Sequence, residues 1–229
     1  MKIGLIGAMQ IEMENLQKSM INVTTVEQSG VTFYCGNLEG REDIDIVAAV
    51  CGVGKVFSAI CAQTMILKFG VDMVINIGVA GGVSRDLKVY DVVAAEKVCQ
   101  HDMNTTPIGD PQGLLSGINM IYLPTDEKIM KGLEDSLKKF DVHFLFGTVA
   151  TGDLFVDTRA QRDKLEERFG ALAADMESGS IGQVCYVNKV PFGILRSISD
   201  ADGAVDYMQF AEKAADVAVK VIVDYIKSL

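Results

Sequence analysis

Short apolar runs alternate with amphipathic stretches along the whole 229-residue chain. Runs at 2–8, 31–37, 43–51, 72–79, 90–98, 143–151, 171–176 and 190–199 read as strands. Several are apolar at consecutive positions, the pattern of a sheet covered on both faces. Helical spacing marks 9–20, 54–69, 126–140, 158–169, 178–188 and 205–227. In the last, Glu212, Asp216, Lys220 and Asp224 recur every four residues as a solvated stripe. Phe210, Ala214, Ala218, Ile222 and Tyr225 form the opposite, docking face. Such alternation of strand and helix patterns predicts an α/β protein. Asn37-Leu38-Glu39-Gly40 reads as the turn of a hairpin, so the sheet is expected to be mixed rather than purely parallel. The stretch 103–120, broken by Pro107, Gly109, Pro111, Gly113 and Gly117, has no periodicity and is the one long loop.

Composition narrows the picture. A hydrophobic content of 49% over this length fits one core and a single domain spanning 1–229. The net charge of −10, with no run of Lys or Arg, argues against nucleic acid or an anionic membrane as partner. No apolar run approaches the ~20 residues that span a bilayer. The apolar start is short and runs at once into Glu12 and Glu14, which reads as a strand entering a helix rather than a signal peptide. A cytoplasmic, soluble protein is expected. Cys35, Cys51, Cys61, Cys99 and Cys185 are scattered without a C-x-x-C pair, and only His101 and His143 are present. Reduced thiols are expected, with no metal centre and no cofactor.

The informative residues are acids at the rims of apolar segments, where carboxylates seldom sit without a reason. Glu12 follows the first strand, Asp175 and Glu177 close the run 171–176, and Asp200 ends the run 190–199. Each has a structural reading. Glu12 complements a helix dipole, Asp175 or Glu177 caps a helix, and Asp200 or Asp202 serves the turn Asp200-Ala201-Asp202-Gly203. Within a strand Asp175 and Glu177 would share a face. Glycine clusters at Gly52-Val53-Gly54-Lys55 and Gly78-Val79-Ala80-Gly81-Gly82 also follow strands and let backbone N–H groups approach a ligand. Neither is a dinucleotide or P-loop motif. Taken together, acids at three strand exits suit cleavage of a glycosidic-type bond, which needs an acid for the leaving group and a base for water.

Six segments in order carry a family resemblance: Gly7-Ala8-Met9 with Glu12, Gly52-Val53-Gly54-Lys55-Val56, Asn76-Ile77-Gly78-Val79-Ala80-Gly81-Gly82, Gly152-Asp153-Leu154-Phe155, Asp175-Met176-Glu177 and Arg196-Ser197-Ile198-Ser199-Asp200. The chain resembles the 5′-methylthioadenosine/S-adenosylhomocysteine nucleosidases of the nucleoside phosphorylase superfamily over nearly its whole length. That resemblance implies a three-layer αβα fold with a central mixed, partly barrel-like β-sheet, and hydrolysis of the adenine–ribose bond. It implies that Asp200 protonates adenine N7 with Ser199 orienting it, that Glu12 activates water, and that Glu177 holds the ribose hydroxyls. Met176 then packs on the sugar, Phe155 stacks near the purine, backbone groups of Phe155 and Val156 read its edge, and Arg196 lies near the water and the acids. Two positions depart from the pattern: Val79 stands where many members carry serine, and Tyr207 supplies the aromatic over the ribose through a shorter connection. His101 and Asp102 match a family pair read as structural. A homodimer is implied, with the loop 103–120 able to complete a neighbour's pocket.

Three rival readings remain at this level. A phosphorylase would need cations around phosphate, where this chain shows Met9-Gln10-Ile11-Glu12 and Asn76-Ile77. A nucleoside sensor would have less use for Glu12, Glu177 and Asp200 together. A nucleosidase for another 5′-substituted nucleoside, of the deoxyadenosine or futalosine type, would keep the same catalytic groups.

Overall fold

The computed structural model describes residues 1–201 and 204–229; Asp202 and Gly203, and with them the alternative turn role of Asp202, lie outside the described residues. Ten strands form one mixed sheet: β1 Lys2–Gly7, β2 Met20–Gln28, β3 Val31–Leu38, β4 Arg41–Val50, β5 Met73–Gly82, β6 Val92–Gln100, β7 Leu123–Pro124, β8 Phe144–Thr151, β9 Ala171–Asp175 and β10 Phe192–Asp200. The helices are α1 Gln10–Lys18, α2 Lys55–Thr64, α3 Glu127–Leu137, α4 Arg159–Phe169, α5 Ser178–Asn188 and α6 Ala204–Ser228. A π-helical turn, Met65–Phe69, extends α2 and ends at Gly70 in the left-handed region.

The sheet closes on itself at one end. β5 pairs with β10, β10 with β6, β6 with β8, β8 with β9, and β9 with β5, giving a five-stranded barrel. From β5 the sheet continues through β1, β4, β3 and β2 as an open wing. The Asn37–Gly40 turn joins β3 and β4 as an antiparallel hairpin, and the sheet is mixed. Alternation along the strands sorts the core into two layers. Ile3 and Leu5 of β1 and Leu195 of β10 pack with Leu16, Leu133 and Ile222 from α1, α3 and α6. Ile6, Ile194 and Ile198 face Cys61 and Ala62 of α2 and Ile181 and Cys185 of α5. No helix among the described residues is long and apolar enough to cross a membrane.

Three departures from the sequence pattern have physical causes. β2 carries almost no buried positions, so its chemistry as an outer strand paired only with β3 leaves no apolar alternation to read. The loop after Gln100 holds a 3₁₀ turn at Thr106–Ile108 and a single bridge between Leu115 and Met120. The charged stripe of α6 is not uniformly solvated: Asp216 accepts from Asn15 of α1, and Asp224 pairs with Lys139 at 2.7 Å. Those contacts add polar anchors to an apolar docking face. Ile222 is fully buried in that face and Lys220 is exposed on the other side. Ile222→Ala is therefore expected to cost roughly 2–5 kcal/mol in urea denaturation, and Lys220→Ala less than about 0.5 kcal/mol.

Candidate active site

A cleft of about 170 Å³ opens where β1, β5, β9 and β10 end. Of the ten residues singled out in the sequence, nine line it: Glu12, Val79, Phe155, Val156, Met176, Glu177, Ser199, Asp200 and Tyr207. Arg196 does not; it lies beneath the floor with no solvent exposure.

Arg196 is placed by register. On β10 it stands beside Gly78 of β5, and a Cβ at Gly78 would run into both its Nη1 and Oε1 of Glu12. Only glycine leaves space there, and its φ of 156° is unusual for any other residue. The guanidinium donates from Nε to Asp175 Oδ2 at 2.8 Å, with Nη2 in ion-pair contact 2.7 Å from the same oxygen, and from Nη2 to Asn76 Oδ1 at 2.5 Å and Glu177 Oε2 at 3.4 Å. Asn76 in turn donates to the Ile6 carbonyl at 2.8 Å, which joins the cluster to β1. Burial alone would lower the Arg196 pKa, but the charges of Asp175, Glu177 and Glu12 outweigh it and hold the group positive.

Asp175 and Glu177 do not share a strand face. β9 stops at Asp175, and Glu177 already stands at the N-cap position of α5, where its side chain makes no capping bond. Asp175 serves structure: its carboxylate receives Thr151 Oγ1 at 2.5 Å, the Ser178 hydroxyl and the Ser178 N–H at 3.2 Å. Glu177 is turned the other way, where its Oε1 accepts the Gly54 N–H at 2.9 Å. Burial pushes the Glu177 carboxyl up to about 7; Arg196 opposes this and Asp175 adds to it.

Glu12 keeps part of its structural reading. As the third residue of α1 it reaches back to the Met9 N–H at 2.9 Å and the Ala8 N–H at 2.6 Å through one oxygen, Oε2. Its Oε1 takes the Val79 N–H at 2.9 Å. A carboxylate oxygen has two lone pairs, so Oε2 is filled and Oε1 keeps one acceptor site. Burial raises the Glu12 pKa, while Arg196 and the three N–H groups pull it back. Glu14, by contrast, is exposed and pairs with Lys18 at 2.8 Å.

Asp200 is turned by a bulge. The register of β10 on β5 shifts between Ile198 and Asp200, so the strand's last side chain is re-aimed into the cleft. Oδ1 accepts from the Ser199 hydroxyl at 2.8 Å, and Oδ2 from Arg162 Nη2 at 2.5 Å. Burial raises the Asp200 pKa against the lowering effects of Ser199 and Arg162. Around this core, Phe155 meets Tyr207 edge-to-face with ring centroids 5.6 Å apart, and the Tyr207 hydroxyl donates to Met9 Sδ at 3.0 Å. Val79 packs its side chain with Ala214 and Ala215 of α6, so only its backbone N–H serves Glu12.

Sequence reasoning missed Arg162, whose setting in Arg159-Ala160-Gln161-Arg162-Asp163-Lys164 looks like a solvated helix face. It placed Asp153 within a motif but gave it no task; Asp153 accepts the Lys55 N–H at 2.8 Å and donates its own N–H to Asp102 at 3.0 Å. With the Lys55–Asp102 pair at 2.7 Å, these bonds lock the first glycine turn to the Phe155 loop, which is the structural part played by Asp102. Its neighbour His101 is buried under Gly152, and burial lowers its pKa.

The family model described as Phosphorylase superfamily matches residues 2–227. A curated 5′-methylthioadenosine/S-adenosylhomocysteine nucleosidase of Oceanobacillus iheyensis is 35% identical over 100% of both chains. The aminodeoxyfutalosine nucleosidase of Campylobacter jejuni is 33% identical, again over 100% of each. Among solved structures, the Helicobacter pylori 5′-methylthioadenosine/S-adenosylhomocysteine nucleosidase with butyl-thio-DADMe-Immucillin-A aligns with a TM-score of 0.95 at 30% identity, covering 100% of this chain and 98% of that one.

The raised Glu177 carboxyl has a stability consequence. Between the ordinary value of 4.5 and about 7, the unfolded chain has lost this proton while the folded one keeps it. Stability therefore falls as pH rises through that window. Glu177→Gln removes the effect, so its stability relative to the native protein should improve by roughly 2–3 kcal/mol between pH 5 and pH 8 in urea titrations. Parallel pH dependence of the two proteins would show that the carboxyl is not raised.

Proposed function

Because the chain belongs to the phosphorylase superfamily, we infer from its site which branch of that chemistry it performs: it is an N-glycosyl hydrolase. It hydrolyses the adenine–ribose bond of 5′-methylthioadenosine and S-adenosylhomocysteine and releases adenine. The observation that carries the hydrolytic reading is the placement of charge. Glu12, Glu177 and Asp200 face one cleft, while no Lys or Arg is among its described lining residues. Both nearby arginines, Arg162 and Arg196, are buried behind carboxylates rather than presented to a ligand. A phosphate nucleophile would meet acids there; water meets a base.

The C1′–N9 bond breaks with its electron pair passing into the purine, and Asp200 gives a proton to N7 so that adenine leaves neutral. Water bonds to C1′ on the opposite face of the sugar and loses a proton to the free lone pair of Glu12 Oε1. Glu177 accepts the ribose hydroxyls, and Met176 packs on the sugar. Ser199 holds one oxygen of Asp200, and Phe155 with the backbone of Val156 receives the base. Proton exchange with solvent returns Glu12 to its carboxylate and Asp200 to its acid. Negative charge around a sugar that turns cationic stabilises the transition state more than the neutral substrate.

A second substrate reading rests on one observation. The cleft lining includes exposed Val53, Leu154 and Phe155, and no Lys or Arg is among its described lining residues to select an acidic 5′ substituent. Nucleosides of the futalosine type then fit the same catalytic groups, in keeping with the Campylobacter relative.

Val56, Phe57 and Ile60 of α2 are exposed beside cleft-lining Val53, and Tyr186 and Val187 of α5 extend the same apolar surface. This face is the one a second copy would cover in the expected homodimer. Light scattering on a sizing column is expected to give a dimer mass, and Phe57→Glu a monomer mass.

Incubation with 5′-methylthioadenosine is expected to release adenine at a rate that phosphate does not raise; a phosphate-dependent increase would turn the reading to phosphorolysis. Asp200→Asn should lower kcat by about 100-fold or more while adenine still binds. Near-native turnover in that variant would remove Asp200 from its role.

A further inference from the structure

Arg162 is one of the two largest fully buried side chains in the protein, and its guanidinium converges on the cleft from behind. It is the fourth residue of α4, the helix that begins directly after the Phe155–Val156 loop, with Thr158 as its capping residue. Side chains on a helix lean toward its N-terminus, so an arginine here reaches back over the first turn toward the strand ends. Its Nη2 donates to two groups at once, Asp200 Oδ2 at 2.5 Å and the Val156 carbonyl at 3.2 Å. Its Nη1 donates to the carbonyls of Gly82 at 2.6 Å, Ala201 at 2.8 Å and Asp200 at 3.2 Å.

Two features separate this from an ordinary buried ion pair. Four carbonyl oxygens hold the guanidinium whatever the state of the carboxyl, so Asp200 can gain or lose its proton without Arg162 moving. The same guanidinium also touches Val156, on the loop that lines the other side of the cleft. Arg162 thus sets the separation between the two groups that, on the function proposed above, address N7 and the edge of the same purine.

We propose that Arg162 is a positioning residue for the proton donor, clamping Asp200 against the base-reading loop and stabilising the carboxylate that forms as the proton leaves for N7. With Oδ2 held by an N–H donor that cannot accept a proton, Oδ1 is the oxygen that carries the transferred proton. Ser199 accommodates both states: its hydroxyl donates to Oδ1 of the carboxylate, and has the Ala80 carbonyl at 3.3 Å as its alternative acceptor. The groups facing Asp200 are Ser199 on its own strand, Gly81 on β5, Arg162 on α4, and Asp206 and Tyr207 on α6. Arg162 is the cation among them. It favours the ionised form, against burial and the charge of Asp206.

The proposal rests on the hydrolase reading, and adenine release from 5′-methylthioadenosine by the native protein is the control for that reading; without it, both fall. With an active native enzyme, kcat, KM and the pH dependence of kcat/KM are compared in Arg162→Met and Arg162→Lys, with folding followed by circular dichroism. In Arg162→Met, kcat is expected to fall about 100-fold, with the larger effect on kcat than on KM. Loss of the cation leaves Asp200 protonated to higher pH, so the alkaline limb of the profile moves up. Arg162→Lys keeps the charge and the limb, but a point charge cannot span Val156 and Asp200, so kcat falls about tenfold. An alkaline limb that stays in place in a folded Arg162→Met overturns the proposal, whatever the rate. If that variant does not fold, native kcat in Arg162→Lys overturns it.

Discussion

A guanidinium with no access to water, that of Arg196, is the constraint around which the cleft is organised. Burying such a charge costs several kcal/mol unless it is matched in both charge and geometry. The chain meets most of that demand through Asp175 at the end of β9, Glu177 at the start of α5 and Asn76 from β5, while Nη1, lodged in the space left by Gly78, has no hydrogen-bond partner among the described residues. Each of these contacts also fixes something the cleft uses. The Asp175 pairing sets where β9 stops and therefore where Glu177 projects. The Asn76 bond carries the β5 register onto β1, which leads through Ala8 and Met9 into α1 and Glu12. Remove the guanidinium and three acids lose the charge that makes their convergence tolerable.

The acids themselves were legible in the sequence because their context was wrong for charge: each closes an apolar run. Most elements of the fold were legible for the converse reason, that strands covered on both faces and helices with one apolar stripe leave strong periodic signals. What escaped was information held in pairing rather than pattern. β2 has one neighbour and a solvated face, so nothing in Met20–Gln28 alternates. The bulge that turns Asp200 exists only in the register between β10 and β5. Asp216 and Asp224 looked like surface charges until their partners on neighbouring elements were known. Arg162 is the extreme instance, since among six mostly charged or polar residues only its helical spacing from Leu165 and Phe169, which share the buried face of α4, marks it as the one that turns inward.

Val79 shows how a departure from a family pattern can be read in physical terms. A serine there would offer a hydroxyl to the cleft; valine instead packs on α6 beside Met9 and Tyr207. The backbone N–H is unaffected by that exchange, and it is the N–H that holds Glu12 Oε1. Orientation of the carboxylate is therefore secured by main chain alone, from Ala8, Met9 and Val79, and does not depend on the side chain at this position.

The two buried arginines divide the acids into two sets. Arg196 is surrounded by Asp175, Glu177 and Glu12, and Arg162 by Asp200 with four carbonyl oxygens. Four carboxyls against two guanidiniums leave the region short of positive charge, and burial raises the pKa of Glu12, Glu177 and Asp200 alike. That deficit costs folding stability. It has a use only if a cation appears in the cleft, and the sugar of a breaking N-glycosidic bond becomes one. The division also allows the two tasks of hydrolysis to be tuned apart: the water-facing acid shares its cation with two other carboxylates, while the proton donor has a cation of its own. A fold that pooled all four acids around one arginine could not set the two protonation states independently.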